Sequence, residues 1–250
     1  MKVGYGSNII TCCTILDNGK ILFSEFNKCK FTDRVTWNES NGNYIRTIHP
    51  LDNSQVSFND VISIDTNTIV VSTGTCIIII NIDTHNILHK IQSHCACYGI
   101  THCDGKLYYW KDWKGIQRFD LRTKSNQLLI PTKVITSRFS YISCDVNKLV
   151  YTYNAETVIC CDMNGKQIWL FEHTSVLRSP RGVVVDNYGF VFVAGEKSRN
   201  IVVISPDGNS SKEVYQISRP RAMCYDENEN KILVCHSDNK ASWFQKSIDV

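Results

Sequence analysis

Six times along the 250-residue chain, an acidic turn is followed by a short run of β-branched, aromatic and aliphatic residues. The turns are LDNGK, SIDTNT, HCDGK, SCDVNK, VDNYGF and YDENENK. Their first acidic residues are Asp17, Asp65, Asp104, Asp145, Asp186 and Asp226, spaced by 48, 39, 41, 41 and 40 positions. The runs that follow are ILFS, IVVS, LYYW, LVYT, VFVA and ILVC. A fixed period of this length marks a repeat architecture in which each unit buries its apolar face on its neighbours.

Each unit holds more than one such run. ITCCTIL, NDVISI, CYGITH, FSYISC, RGVVV and RAMCY end at the aligned aspartates. Third runs are RVTW, IIIINI, IQRFDL, VICCDM, IVVISP and ASWFQ. Fourth runs occupy 44–48, 87–91, 126–130, 167–171 and 213–217. The runs are strand-length, and Asn18-Gly19, Asp104-Gly105, Asn164-Gly165 and Asp207-Gly208 are hairpin turns. Four antiparallel strands in each of six units predict an all-β fold, a six-bladed β-propeller. The sixth unit lacks a fourth run, and a ring needs its last blade completed to leave no open edge. We therefore expect Lys2–Gly6 to pair with the strand around Ser242–Gln245. The expected blades of this single domain, 1–250, are 7–50, 51–93, 94–132, 133–174, 175–217, and 218–250 with 1–6.

Composition narrows the class. With 43% hydrophobic and 20% charged residues the chain can build a core. A net charge of +3 does not by itself imply a nucleic-acid partner. No apolar run reaches membrane-spanning length, and the start MKVGYGSNIITCC has no apolar core of a signal peptide. A cytoplasmic location is the expectation. The 12 cysteines include no C-x-x-C pair and lie mostly in apolar runs. They read as cytosolic thiols serving as small core residues, with disulfides or a metal site as alternatives. Cys95, Cys97 and Cys103 with His94 and His102 form the dense Cys/His cluster, at a spacing that matches no standard site.

The fifth unit reads PRGVVVD, YGFVFVAG, SRNIVVISPDG. Through Pro180, Gly182, Val183, Asp186, Gly189, Asn200, Ile201, Asp207 and Gly208 it resembles the NHL repeat. The sixth unit keeps Pro220, Arg221, Ala222 and Asp226, while Gly99 is the best echo in the earlier units. TILDNGKILFS, YGITHCDGKLYY and CDMNGKQIWLF are similar to the C-terminal propellers of tripartite-motif proteins, invertebrate type. The resemblance implies a non-enzymatic binding platform that recruits partners or substrates, with ubiquitin-ligase activity residing in a separate RING domain. This chain has no RING, B-box or coiled-coil pattern. Some relatives bind RNA on one face, so an RNA-binding propeller in post-transcriptional regulation is the alternative. A metal-dependent propeller hydrolase or lyase is the remote one.

In such propellers the first strand of each unit descends beside the axis. Loops entering first strands and loops joining second to third strands then share one face, here called the top. The aligned aspartates share the bottom with Asp83, Asp120, Asp162, Asp207, Glu227 and Glu229, partly offset by Lys20, Lys106, Lys148 and Lys166. The top collects Lys28, Lys30, Lys111, Lys114, Lys133, Arg138, Arg178, Arg181, Lys197, Arg199, Arg219, Arg221 and Lys240. Its acids are Glu25, Asp112, Glu156, Glu196 and Asp238. Trp110, Trp113, Tyr153 and Phe26 lie beside these charges. Rings next to cations suit base stacking over phosphates, and equally a protein hot spot. The candidate partner-binding residues are Arg178, Arg181, Arg219, Arg221, Lys111, Trp113, Lys114, Tyr153, Arg199 and Arg138. Trp110 also reads as a residue packed between blades, and the aligned aspartates read as turn chemistry. A protein partner is expected first, RNA second, with no membrane, no cofactor, no metal and a monomeric propeller.

Catalysis finds no foothold in the residues. Calcium-dependent propeller enzymes need carboxylates and amides converging near the axis. The inner strands, read as ITCCTIL, VISI, YGITH, YISC, GVVV and AMCY, offer no mid-strand Asp, Glu or Asn. The histidines are scattered over different units, and there is no G-x-S-x-G elbow or phosphate-cradling glycine loop.

Overall fold

The structure, a computed structural model, describes residues 1, 8–27, 32–48, 58–132, 140–154 and 156–245. Blade 1 consists of β1 (Asn8–Ile15), β2 (Ile21–Asn27), β3 (Thr32–Asn38) and β4 (Tyr44–Ile48). Blade 2 holds β5 (Phe58–Ser63), β6 (Thr68–Thr73), β7 (Cys76–Asn81) and β8 (Ile87–Gln92). Blade 3 holds β9 (Cys97–Cys103), β10 (Lys106–Lys111), β11 (Gly115–Asp120) and β12 (Asn126–Pro131). Blade 4 holds β13 (Ile142–Cys144), β14 (Lys148–Tyr153), β15 (Thr157–Asp162) and β16 (Gln167–Phe171). Blade 5 holds β17 (Pro180–Val185), β18 (Val191–Gly195), β19 (Asn200–Ile204) and β20 (Ser211–Gln216). Blade 6 holds β21 (Pro220–Asp226), β22 (Lys231–His236) and β23 (Ala241–Gln245). Every blade is an antiparallel meander, and the innermost strands β1, β5, β9, β13, β17 and β21 pack one against the next around the ring, β21 against β1. This is the six-bladed propeller that the repeat predicts.

Burial follows from stacking sheets face to face. The middle strands are covered on both sides, so β6, β18 and β19 are buried at every position and read as unbroken apolar runs. The outer strands have one face toward solvent and alternate instead, as in β16, where Trp169 and Phe171 are buried and Ile168 and Leu170 exposed. Inner strands approach so closely that two positions admit no side chain. A Cβ on Gly99 would lie 2.3 Å from Ser140 O, and one on Gly182 would lie 2.6 Å from Arg221 O. Gly182 of the motif is thus required by contact between blades 5 and 6.

Five of the six inner strands, all but β13, also share a defect. Their register against the second strand slips between Ile10 and Cys12, Phe58 and Asp60, Pro180 and Val183, and Pro220 and Ala222, and opposite Trp110 in blade 3. Bulges of this kind re-aim side chains, here at the top end of each strand.

Three strands of blade 6 lie among the described residues. The segment expected to complete it, Lys2–Gly6, lies outside them. Met1 sits beside the edge strand: its ammonium donates to Ala241 O at 2.6 Å, and Ala241 N donates to Met1 O at 3.0 Å. Eleven cysteines are free thiols, most of them buried, and Cys29 falls outside the described residues. No helix of the described chain is long and apolar enough to cross a membrane.

Candidate functional site

The aligned aspartates perform turn chemistry at the bottom of the ring. One carboxylate oxygen accepts backbone N–H groups two to four residues ahead: Asn67 for Asp65, Asn147 and Lys148 for Asp145, Tyr188 and Phe190 for Asp186, Asn228 and Glu229 for Asp226. Blade 1 shifts the acceptor to Asn18, which takes the Lys20 N–H at 3.1 Å. Blade 3 instead places Asp104 itself in the left-handed region at φ 48°.

At the top, loops entering inner strands are tied to the second-to-third strand hairpins. Lys197 N donates to Arg178 O, Ser237 N to Arg219 O, and Asp112 N to Ala96 O. In blades 5 and 6 this assembles one charge cluster. Arg181 donates from Nη2 (2.8 Å) and Nε (2.9 Å) to Glu196 Oε2, and Arg221 Nε donates to Glu196 Oε1 at 3.0 Å. The three side chains are 20%, 20% and 14% exposed. Burial acts to raise the Glu196 pKa, but the two guanidiniums more than offset it and hold the carboxyl below its ordinary range. Arg178, Lys197, Arg199 and Arg219, in the loops of the same blades, are exposed. Arg181 and Arg221 are therefore half-buried members of a clamp, while Arg178, Arg199 and Arg219 face solvent. Of the other acids placed on this face, Glu25 is buried, taking Arg34 at 2.8 Å and the Thr36 hydroxyl at 3.0 Å.

Blades 3 and 4 carry a second group. Trp110 is buried between them, edge-on to Tyr151 at 5.4 Å and stacked with Tyr153 at 6.4 Å. That is the packing reading of Trp110, and it half-buries Tyr153. Lys111 ends β10 half-buried, and Lys114 is exposed in the same turn. Between them Trp113 adopts φ 60° and is 56% exposed. Corresponding hairpins place Asn154, Arg199 and Asn239 in the same left-handed conformation. Asn and Gly tolerate it, whereas a bulky residue is strained. Arg138, with Lys28, Lys30 and Lys133, lies outside the described residues. The structure thus divides the remaining candidates between blades 3–4 and blades 5–6.

The reading of the inner strands needs correction at blade 2. β5 begins three residues before VISI and carries Asn59 and Asp60 inside the strand, both buried. Asp60 bridges two blades: Oδ1 accepts Val61 N at 2.8 Å and Oδ2 accepts Ile100 N of β9 at 2.9 Å. Burial pushes its pKa up to about 7, against the lowering effect of the Cys12 thiol and both amides. Asn59 Nδ2 likewise reaches Cys97 O at 2.7 Å. The missed signal was the dipeptide Asn-Asp just ahead of the apolar alternation.

Below Asp60 the axis is hollow. A cavity of about 400 Å³ is walled by inner strands of all six blades, with Asp17, Asp226 and Glu227 among its lining. At its top Tyr141 spans the ring, its hydroxyl donating to Thr11 O of β1 at 3.0 Å. Cys12, Cys13, Cys144 and Cys224 contribute to the wall. Among the described residues no group of three or more His, Cys, Asp or Glu is placed to hold a metal ion.

No protein-family pattern matches this chain, and no curated protein matches its sequence. Solved structures do match in shape. A chain of the mitotic checkpoint complex superposes with a TM-score of 0.70 at 14% identity, over 95% of this chain and 74% of that one. Virginiamycin B lyase from Staphylococcus aureus superposes with a TM-score of 0.66 at 15% identity, over 100% of this chain and 88% of the lyase. A catalytically inactive variant of that lyase with quinupristin gives 0.65 at 15% identity. At such identities the likeness is one of fold, shared by a chain of a multiprotein assembly and by an enzyme.

Proposed function

We propose that this chain is a binding platform that recruits a protein partner on the top face of the ring, in the manner of the NHL propeller of a tripartite-motif ligase. The proposal assigns it no catalytic step. The observation that carries it is Trp113, a large apolar side chain left 56% exposed on a strained left-handed backbone between the half-buried Lys111 and the exposed Lys114. Strain of order 1–3 kcal/mol held by a bulky residue at a surface turn supports a functional reading of what that turn presents. Arg199 repeats the arrangement in blade 5, with Arg178 and Arg219 next to it. Aromatic and arginine anchors of this kind dominate protein hot spots. A protein is favoured over RNA because Arg181 and Arg221 already direct their guanidiniums at Glu196. Fewer forks then remain for phosphates.

Partners recovered on the immobilised chain after nuclease treatment are identified, and affinity is measured with the purified partner. Trp113→Ala and Arg199→Glu should each weaken binding about tenfold or more, the effect of losing a residue worth at least about 1.4 kcal/mol. The melting temperature should stay within a degree or two. Unchanged affinity in both variants refutes the assignment. Binding that vanishes with nuclease, or falls steeply with salt, replaces the protein partner by RNA.

A further inference from the structure

Residues 172–181 and 217–221 lead into β17 and β21, and residues 195–200 and 236–241 join β18 to β19 and β22 to β23. Together they hold seven lysines and arginines against three acids, a surplus larger than the net +3 of the whole chain. Two of the acids are already taken, Glu196 by Arg181 and Arg221, and Asp238 by Lys240 at 2.8 Å. The third, Glu172, stands at the head of its loop, next to β16. Arg178, Lys197, Arg199 and Arg219 are left exposed, with no ion pair among the described residues.

These four cations stand on a fixed frame. Arg178 O accepts Lys197 N at 3.1 Å and Ser198 N at 3.3 Å, and Ser198 Oγ accepts Arg178 N at 3.0 Å. Arg199 O accepts Ile217 N at 2.8 Å, and Arg219 O accepts Ser237 N at 3.1 Å. Main-chain bonds thus link one cationic loop to the next from blade 5 into blade 6. Ser179, Arg199 and Arg219 hold left-handed φ values of 56°, 59° and 46°, which favour glycine and asparagine instead. Like charges pinned in this way repel one another, and an anionic partner relieves that repulsion. Because the frame is already ordered, little backbone freedom is lost when the partner docks.

We propose that this strip seats an acidic segment of the partner, an extended stretch rich in Asp and Glu. The proposal rests on the platform reading and gives the partner its chemistry. Alternate side chains of an extended chain point the same way about 7 Å apart, so such a stretch presents a row of carboxylates to a row of cations. Single-stranded RNA is the other common polyanion. Its recognition stacks bases on aromatic rings, and these four segments contain no Phe, Tyr or Trp. Trp113 lies in blade 3, away from the strip.

The test measures fluorescence anisotropy of the full chain with a fluorescein-labelled glutamate-rich peptide, a Gly-Ser peptide and a single-stranded oligouridine. The glutamate-rich peptide should bind in preference to the other two, and its binding should weaken as salt is added. Arg178→Glu combined with Arg219→Glu should reduce its affinity about tenfold or more. Lys166→Glu, the same change of charge at an exposed bottom turn, should alter it less than about twofold. Should the double reversal fail to fold, Lys197→Gln with Arg199→Gln must weaken binding in the same direction. No preference for the glutamate-rich peptide, an equal loss from Lys166→Glu, or tighter binding of oligouridine overturns the inference. A protein partner that is held through Trp113 and is not displaced by the glutamate-rich peptide also overturns it, and leaves the platform reading standing.

Discussion

Glu196 is the residue whose removal tests most directly how blades 5 and 6 are joined at the top. Glu196→Gln keeps the shape of the side chain and deletes the charge that Arg181 and Arg221 share. A charge-assisted hydrogen bond contributes about 1.5–3 kcal/mol when buried. Fully exposed pairs contribute about 0–1 kcal/mol. The three contacts, at 2.8, 2.9 and 3.0 Å, lie between these limits, because the arginines are one-fifth exposed and regain water when released. We expect a net loss of about 2 kcal/mol, which for a domain of this size lowers the melting temperature by about 4–8 °C. The pH dependence has a definite sign. The folded-state pKa of Glu196 is depressed, so the contribution is present above the ordinary glutamate range and lost as pH falls through the folded value. Thermal melts of wild type and variant, followed by circular dichroism from neutral to acidic pH, should therefore differ at neutrality and converge in acid. Combining Glu196→Gln with Arg181→Gln should be less than additive, since both changes break one clamp. A shift under about 2 °C, or a gap that persists unchanged into acid, would show that the arginines are solvated independently.

Asp60 has the opposite sign. Its folded pKa, about 7, lies above that of an unfolded aspartate, so its contribution to stability is complete below the unfolded value and declines as pH rises through about 7. Denaturant titrations should show wild type losing up to about 1.4 kcal/mol per pH unit in that window relative to Asp60→Asn, and parallel profiles would contradict the assignment. Gly182→Ala forces a Cβ to 2.6 Å from Arg221 O, a backbone atom that cannot swing away. It should cost about 1–3 kcal/mol in urea unfolding, whereas Gly74→Ala, with nothing within 4 Å, should be nearly neutral. Equal effects at the two glycines would remove the close-packed ring of inner strands as their explanation.

Much of this fold is written locally. Strand-length apolar runs, turn residues and a forty-residue period leave a sheet no choice but to repeat, and the aligned aspartates cap turns wherever the chain happens to go. These features depend on neighbours within a few residues, so a linear reading finds them. The Asp186–Gly189 turn of the fifth unit is legible for the same reason, since both residues act within one turn, whereas Gly182 answers to the next blade.

What the tertiary structure alone decides is which distant residues become partners when six sheets close around an axis. The sequence marks Arg181, Arg221 and Glu196 as top-face charges, but only the contact between blades 5 and 6 turns them into a clamp. Asp60 stands near the head of the NDVISI run, and only the ring places it against Ile100 N of the next blade and buries it. Cys103 and Cys144 stand 41 positions apart, and each thiol reaches a main-chain carbonyl of the other's blade because equivalent positions of adjacent repeats meet at one boundary. Periodicity encodes the blade. The angle and spacing between blades come from packing summed over the whole ring, and the chemistry of the boundaries follows from that closure.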